Sequence, residues 1–203
     1  MDNASTQFDL YSIDYLKAGS ARQRRAYESL AALEIFPKIK SWMGEEIGLG
    51  EDPALAGSLP IDLALDSSDL DIITYSPDLK AFSKLLQTEF GSLEGFQSSR
   101  GIVLGVATLI TKFHFHGEDY EIFTQNCLVP RQNAVIHLLV EARLLELGGP
   151  AFREKIMKAR HSGEKTEPAF GLVLGLEEPY RELLDLEDLS DDELRDRFHA
   201  KFL

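Results

Sequence analysis

The sequence predicts an α+β fold, in which a small mixed β-sheet has helices packed mainly on one side and a helical region at its C-terminal end. Three observations predict it. Apolar residues recur at helical spacing between about residues 13 and 42 and again after residue 131. Short runs rich in β-branched and aromatic residues lie between them, at 69–75 and 102–125. Helices before and after a group of strands are typical of α+β folds.

The N-terminal layer is predicted to be helical from Ile13 to about Trp42, with breaks near Gly19 and near Pro37. A turn-rich connection then contains Gly44, Gly48, Gly50 and Pro53. Glycine and proline favour turns, so we expect a loop rather than a domain linker at this point.

The first strand is expected from Asp69 to Tyr75, where Leu70, Ile72 and Ile73 are apolar and Pro77 marks the end. Residues 78–90 return to helical periodicity. Ser76 or Asp78 could cap that helix.

Residues 102–125 predict a β-hairpin, because Gly117 to Asp119 offers a turn between two strand-like runs. A long helix follows Pro130 and stops near Gly148 to Pro150, and later helices begin near Phe152, Pro168 and Asp191. We therefore expect residues 1–130 to form the core with its N-terminal helices, and residues 131–203 to form a helical region packed on it.

Composition restricts the class of function. The formal net charge of −13 opposes binding to polyanions, so nucleic acid is a poor candidate partner. Apolar runs are far shorter than the roughly 20 residues that cross a bilayer. The single cysteine, Cys127, favours a reducing, cytoplasmic location and a structural role for the thiol.

The stretch AGSLPIDLALDSSDLDI, residues 56–72, carries the predicted chemistry. On a strand, Asp69 and Asp71 point to the same face while Leu70 points to the core. Hard cations such as Mg²⁺ bind one or two carboxylates together with substrate phosphates, so the pair suits a metal-bound nucleotide. Gly57 permits close backbone approach, and Ser58 offers a hydroxyl and an amide to a phosphate oxygen.

An Asp-x-Asp pair alone is weak evidence, since 34 of 203 residues are acidic and acidic pairs at this spacing arise about five times by chance. A third carboxylate on a later strand strengthens the prediction of a metal site. Glu121 lies between Tyr120 and Ile122 and should leave the strand on the polar face. Three carboxylates on adjacent strands could hold two cations. The alternative is a solvent-facing glutamate on an edge strand.

These residues resemble the motif of the polymerase-β-type nucleotidyltransferase superfamily, in which a Gly-Ser turn precedes Asp-x-Asp and a third carboxylate follows on a later strand. Other segments, including AGSLPIDL, DSSDLDII, YEIFTQN and GEKTEPAFGLVLGL, resemble the DUF4269 family, and this similarity covers most of the chain. The resemblance implies a sheet of nucleotidyltransferase type and a two-metal transfer. The chain lacks the strongly basic groove of the polymerising members.

The function implied is metal-dependent transfer of a nucleoside monophosphate from a triphosphate to a small-molecule or protein acceptor. Mg²⁺ or Mn²⁺ would be held by Asp69, Asp71 and Glu121, and the triphosphate by Gly57 and Ser58. A non-catalytic nucleotide-binding or sensing module with the same fold is the alternative. A third possibility is an interaction protein that uses its acidic C-terminal helices, with solvated carboxylates.

Two basic residues are further candidates for the nucleotide. Lys165 precedes a predicted helix and could meet phosphates as a point charge, although its neighbours Thr166 and Glu167 also suit a helix cap. Arg143 has a guanidinium that suits phosphate, although a surface ion pair explains it equally well. His114 and His116 alternate on a strand and are better explained by partial exposure than by metal binding.

Overall fold

The computed structural model describes residues 9–43 and 52–203. It has the predicted α+β architecture, with five strands and seven α-helices in these residues. The strands are β1 (Ala54–Ala56), β2 (Leu70–Tyr75), β3 (Glu94–Val103), β4 (Val106–Phe115) and β5 (Glu118–Gln125). The helices are α1 (Ala21–Leu33), α2 (Ile35–Met43), α3 (Leu79–Phe90), α4 (Asn133–His161), α5 (Thr166–Leu174), α6 (Pro179–Glu182) and α7 (Asp191–Phe202). Short 3₁₀ helices span Asp14–Ala18, Val129–Arg131 and Leu184–Leu186.

The strands form one mixed sheet in the order β1-β2-β5-β4-β3. β2 and β5 are parallel, and the other neighbours are antiparallel. Both strands of the parallel pair lie in the interior of the sheet. Asp71 is on β2 and Glu121 is on β5, so the predicted acidic residues lie on neighbouring strands. α3, β3 and β4 form the connection between them.

β3, β4 and β5 form a meander rather than the single predicted hairpin. The turns at Leu104–Gly105 and His116–Gly117 have positive φ at all four residues, which is the geometry that two-residue hairpins favour. Gly117 therefore lies in the turn, as expected, while the additional strand β3 pairs with the far edge of β4.

One face of the sheet packs against α1, α2 and α3. Its buried apolar side chains include Leu70 and Ile72 from β2, Ile122 from β5, Leu30 from α1, Ile35 from α2 and Phe82 from α3. Burial of such side chains is the main favourable term in folding.

The second face packs against the C-terminal helices through residues of β1 and β2, with Phe123 of β5 beside them. There Ala54, Ala56 and Ile73 join a cluster with Val135, Leu138, Phe170 and Leu194. This cluster combines residues from both sides of residue 130, where we predicted a division of the chain, and that division stays a prediction.

Helix boundaries follow local chemistry. Ser20 caps α1 in a reciprocal capping box with Gln23, and Asp78 caps α3 through the amides of Lys80 and Ala81, both at 2.9 Å. The predicted break near Pro37 lies instead at Glu34, which has φ 54°. Pro37 is in the first turn of α2, where a missing amide hydrogen costs little.

The long helix α4 changes direction at Gly149, whose φ of 67° and ψ of −165° are not helical. Pro150 follows and can begin a new helical turn. The predicted stop at residues 148–150 is therefore a kink, after which the same element continues to His161.

The predicted turn residues Gly44, Gly48 and Gly50 lie outside the described residues. Within residues 9–43 and 52–203, no helix combines the length and the apolar character that crossing a membrane requires.

Candidate active site

Three side chains lie in one row across three neighbouring strands. Asp71 of β2 is the register partner of Glu121 of β5, and Glu121 is the register partner of Lys112 of β4. Directly opposite residues share a face of a sheet and have Cβ atoms roughly 5 Å apart. The flanking Leu70 and Ile72 are fully buried on the other face, so the row lies on the face that the N-terminal helices leave free.

Asp69 directly precedes β2 and is partly buried. Its charge acts on Asp71, because it is one of the causes of the raised pKa of that residue. The structure therefore brings together Asp69, Asp71 and Glu121.

The backbone of Gly57 lies directly against the side chain of Asp71. It follows Ala56, the register partner of Asp71 on β1, and has φ 70°. A Cβ at this position would lie 2.0 Å from Asp71 Oδ2. Only glycine allows both this backbone angle and this approach. The Gly-Ser turn and the carboxylate pair are therefore parts of one site.

The turn that begins at Gly57 is closed by a hydrogen bond from Leu63 N to Ser58 O, 3.0 Å. Ser58 itself is buried. From α1, Gln23 donates to Leu59 O at 2.9 Å. From α4, Arg153 donates to Ile61 O at 2.6 Å.

The rest of the connection to β2 is bound by two more guanidinium groups. Arg22 donates to Leu65 O and Ser68 O, while also pairing with the buried Glu118 at 2.7 Å. Arg160 donates to Leu63 O and Ser68 Oγ. Side chains from α1 and α4 thus fix the backbone between the Gly-Ser turn and Asp69.

The site carries more negative charge than its protein surroundings compensate. Burial, followed by the charges of Asp69, Glu121 and Glu167, raises the pKa of Asp71 to about 8, while Lys112 acts in the opposite direction. An opposite charge close to Asp71 would favour its ionised form. The arrangement therefore favours binding of cations.

Glu121 forms an ion pair with Lys112 through Oε2 and Nζ. Among the described residues, no three His, Cys, Asp or Glu side chains converge on a ready-made metal position. The donor chemistry still fits a hard cation, because two or three carboxylates together with substrate phosphates are what Mg²⁺ requires.

A second group of side chains lies beside the carboxylates and was not predicted. Glu167, in the first turn of α5, contributes to the raised pKa of Asp71 and so lies close to it. Its carboxylate is 3.5 Å from His137 Nδ1, and His137 Nε2 donates to Tyr180 O at 2.8 Å. Burial alone would raise the pKa of Glu167, but His137 lowers it below its ordinary value.

Glu141 is also part of this group. It is 2% exposed, and its Oε1 has no hydrogen-bond partner. Burial and the charge of Glu167 raise its pKa well above the ordinary value, while Arg160 opposes them. One feature of the sequence could have predicted this group. Glu141 interrupts an apolar helical pattern and follows His137 by four residues, which places the two on the same side of a helix.

The two basic residues predicted for the nucleotide have different positions. Lys165 is the residue before α5, exposed, and its charge helps to lower the pKa of Glu167. Arg143 binds Asp191 at 2.9 Å and Leu189 O at 2.6 Å instead. Arg143 is two residues after Glu141 on α4, which places it about 200° further around the helix. Its side chain therefore faces the C-terminal segment. The structure thus places Lys165 beside Glu167 and turns Arg143 towards the C-terminal segment.

His114 Nδ1 lies 2.9 Å from Asp119 Oδ1 on the meander. A cavity of about 720 Å³ lies between the N-terminal segment, residues 60–62 and α4. It is lined by Tyr15, Gln23, Asp62, Glu146 and Arg153, among others, and shares the Gly-Ser turn's loop with the carboxylate site.

A family model described as "Domain of unknown function (DUF4269)" matches residues 30–186, more than half of the chain. No curated protein matches.

Two solved structures of Cid1 share the fold. The Cid1 poly(U) polymerase with MgGTP bound has a TM-score of 0.51 at 15% identity, over 74% of this chain and 49% of that one. A second Cid1 structure, from work on its RNA terminal uridylyl transferase activity, has a TM-score of 0.52 at 16% identity, over 76% and 48%. The GLD-2/RNP-8 complex has a TM-score of 0.48 at 18% identity, over 79% and 60%. The chain thus spans about half the length of the Cid1 proteins that it resembles.

Proposed function

Because this chain belongs to the DUF4269 family and has the fold of nucleotidyltransferases, we propose that it is a metal-dependent nucleotidyltransferase. It moves a nucleoside monophosphate from a triphosphate to an acceptor and releases pyrophosphate. The observation that carries the proposal is the contact of Gly57 with Asp71, together with the pairing of Asp71 and Glu121 on neighbouring parallel strands.

Each residue has a role that follows from its position. Asp69 and Asp71 would hold Mg²⁺ or Mn²⁺ bound to the triphosphate, and Glu121 would hold the second cation. When bound, such cations neutralise charge on the phosphoryl group and lower the pKa of the attacking oxygen. Gly57 and Ser58 offer backbone amides to phosphate oxygens, from a turn that α1 and α4 hold rigid.

Lys165 is proposed to meet the phosphates as a point charge from the start of α5. The donors of Arg143 are engaged by Asp191 and Leu189, so the proposed nucleotide site does not use it. Cys127, the single cysteine, favours a reducing, cytoplasmic location for the reaction.

The acceptor is proposed to be a small molecule or a protein. The Cid1 structures come from polymerases that act on RNA, but a net charge of −13 opposes the approach of a polyanion.

The test of the function is pyrophosphate release, measured with Mg²⁺ or Mn²⁺ and each of the four common triphosphates. Wild type is compared with Glu121→Gln, which removes one charge and keeps the side-chain shape. We expect the variant to bind triphosphate about as well as wild type and to lose transfer by 100-fold or more, on the order of the losses seen when a catalytic group is removed. Full turnover by Glu121→Gln would exclude this residue from the reaction.

A non-catalytic nucleotide-binding module is the second candidate. It is favoured by the ion pair of Glu121 with Lys112, which leaves the third carboxylate engaged. Triphosphate binding by wild type with no pyrophosphate release on any acceptor would support this candidate. The melting temperature, measured with and without metal and triphosphate, reports binding independently of turnover.

A further inference from the structure

Lys112 occupies one end of the row that crosses the candidate active site. Its register partner is Glu121, whose own partner on the other side is Asp71. The lysine side chain is 56% exposed, whereas that of Glu121 is 23% exposed. The ammonium group thus approaches the carboxylates from solvent, on a flexible stem that can be withdrawn.

All three carboxylates act on the ammonium group. Its pKa is raised chiefly by the hydrogen bond to Glu121, and further by the charges of Asp69 and Asp71. In return, its charge opposes the raised pKa of Asp71. A divalent cation bound by these carboxylates would meet the same lysine at close range and be repelled by it.

We propose that Lys112 is the resident counter-ion of the carboxylate site, which holds Glu121 in the metal-free protein and releases it to a divalent cation. This inference rests on the proposed function, since it assigns Glu121 to a cation. Lys112 is a positioning residue, because it acts through Glu121.

Once Glu121 binds the cation, the Lys112 ammonium group can donate to the triphosphate instead. A triphosphate bound beside Asp69 and Asp71 carries oxygens that can accept from an ammonium group at the end of the same row. Glu121 then exchanges Lys112 for the cation, while Lys112 exchanges Glu121 for phosphate. Metal and triphosphate therefore bind cooperatively, and each raises the affinity for the other by the same factor.

The first experiment measures Mn²⁺ binding without nucleotide, by electron paramagnetic resonance. Lys112→Met should bind Mn²⁺ about tenfold more tightly than wild type, because a nearby positive charge has been removed. Lys112→Arg keeps the charge and should stay near wild type. Lys38→Met is the matched control: it also removes a lysine from a Lys–Glu pair, with Glu89 at 2.9 Å, but on the α2–α3 face of the sheet.

The second experiment repeats the titration with a nonhydrolysable triphosphate. In wild type the triphosphate should raise the Mn²⁺ affinity severalfold more than it does in Lys112→Met, where the exchange of partners is impossible. Circular dichroism melts of the metal-free variants confirm that each one folds.

The outcomes separate the two proposals. If wild type binds Mn²⁺ and triphosphate but Lys112→Met binds Mn²⁺ no more tightly than Lys38→Met, the counter-ion role is wrong and the proposed function survives. If Lys112→Met binds Mn²⁺ while wild type binds neither ligand, the counter-ion role stands and wild type is not a working enzyme. If neither protein binds Mn²⁺, both proposals fail.

Discussion

Asp71 is held where an ionised carboxylate is unfavourable. Burial and three neighbouring acidic side chains raise its pKa to about 8. The absence of a side chain at Gly57 leaves space for the Asp71 carboxylate, which a Cβ at that position would clash with. Such shifts cluster at functional sites, because a charge that is costly alone becomes favourable when a cation binds. In the proposed function, Asp71 lowers the stability of the metal-free protein and raises the affinity for the cation.

That trade predicts a pH dependence. The pKa of Asp71 is higher in the folded protein, about 8, than the ordinary aspartate value of 3.8, so its contribution to stability is complete below pH 3.8 and is lost as pH rises towards 8. Asp71→Asn cannot ionise. In urea unfolding without metal, the variant should gain about 1–2 kcal/mol relative to wild type at pH 8 and little at pH 4. An equal difference at both pH values would contradict the assignment.

Gly57 gives a second prediction at the residue scale. Gly57→Ala places a side chain at φ 70° and 2.0 Å from Asp71 Oδ2, so it should lose about 1–3 kcal/mol of stability together with the rise in melting temperature caused by Mg²⁺ and triphosphate. Gly117→Ala is the control, because its φ is 75° but no atom lies within 4 Å of the added Cβ. The control should be destabilised while keeping the ligand effect. A ligand effect retained in both variants would show that this contact is not needed for binding.

At the scale of elements, the strands carrying the site were predictable because they are rich in β-branched and aromatic residues and because apolar residues flank each acidic one. Leu70 and Ile72 enter the core while Asp71 does not, and this period of two is visible in the sequence. β1 is only three residues long, too short for a pattern. β3 is almost wholly exposed at the sheet edge, so it has no buried face to impose alternation.

The helices show the same limit. Asp78 and Pro168 located α3 and α5 because capping and proline signals act within a few residues. Glu141 and Glu167 come from α4 and α5, and only their packing brings the two acidic side chains together. Arg143 was assigned from its chemistry alone, and its actual partners, Leu189 and Asp191, lie more than forty residues along the chain.

The packing of α4 on α5 predicts that Glu141→Gln stabilises the protein at high pH. The pKa of Glu141 is raised well above 4.5, so its contribution to stability is present below 4.5 and is lost as pH rises through the folded-state pKa. The amide variant should therefore be more stable than wild type by about 1–3 kcal/mol at pH 8, with the two proteins closer at pH 4.5. Glu154→Gln changes an exposed glutamate of the same helix and should have no effect. A destabilised Glu141→Gln would mean that the carboxylate has a partner that the amide cannot replace.

At the scale of the whole molecule, the fold and the charge favour different partners. The fold is that of Cid1 poly(U) polymerase structures, while the chain has 34 acidic residues against 21 lysines and arginines. Phosphate contacts supply most of the non-specific affinity for nucleic acid. A shared fold does not determine the acceptor, which depends on the groups around the site.

Ionic strength distinguishes the two kinds of acceptor. A protein that binds RNA through basic side chains releases counterions and loses affinity steeply as salt rises, by roughly 10³-fold or more between 50 and 200 mM when six to ten phosphates are contacted. This chain should show no measurable binding to a fluorescently labelled oligouridylate at micromolar protein and 50 mM salt, by anisotropy. Its affinity for a metal-bound triphosphate should stay constant or rise over the same range, because salt screens the repulsion between an anionic protein and an anionic ligand. Tight oligouridylate binding with a steep negative salt dependence would overturn the choice of a small-molecule or protein acceptor, and would imply that local basic groups outweigh the net charge of −13.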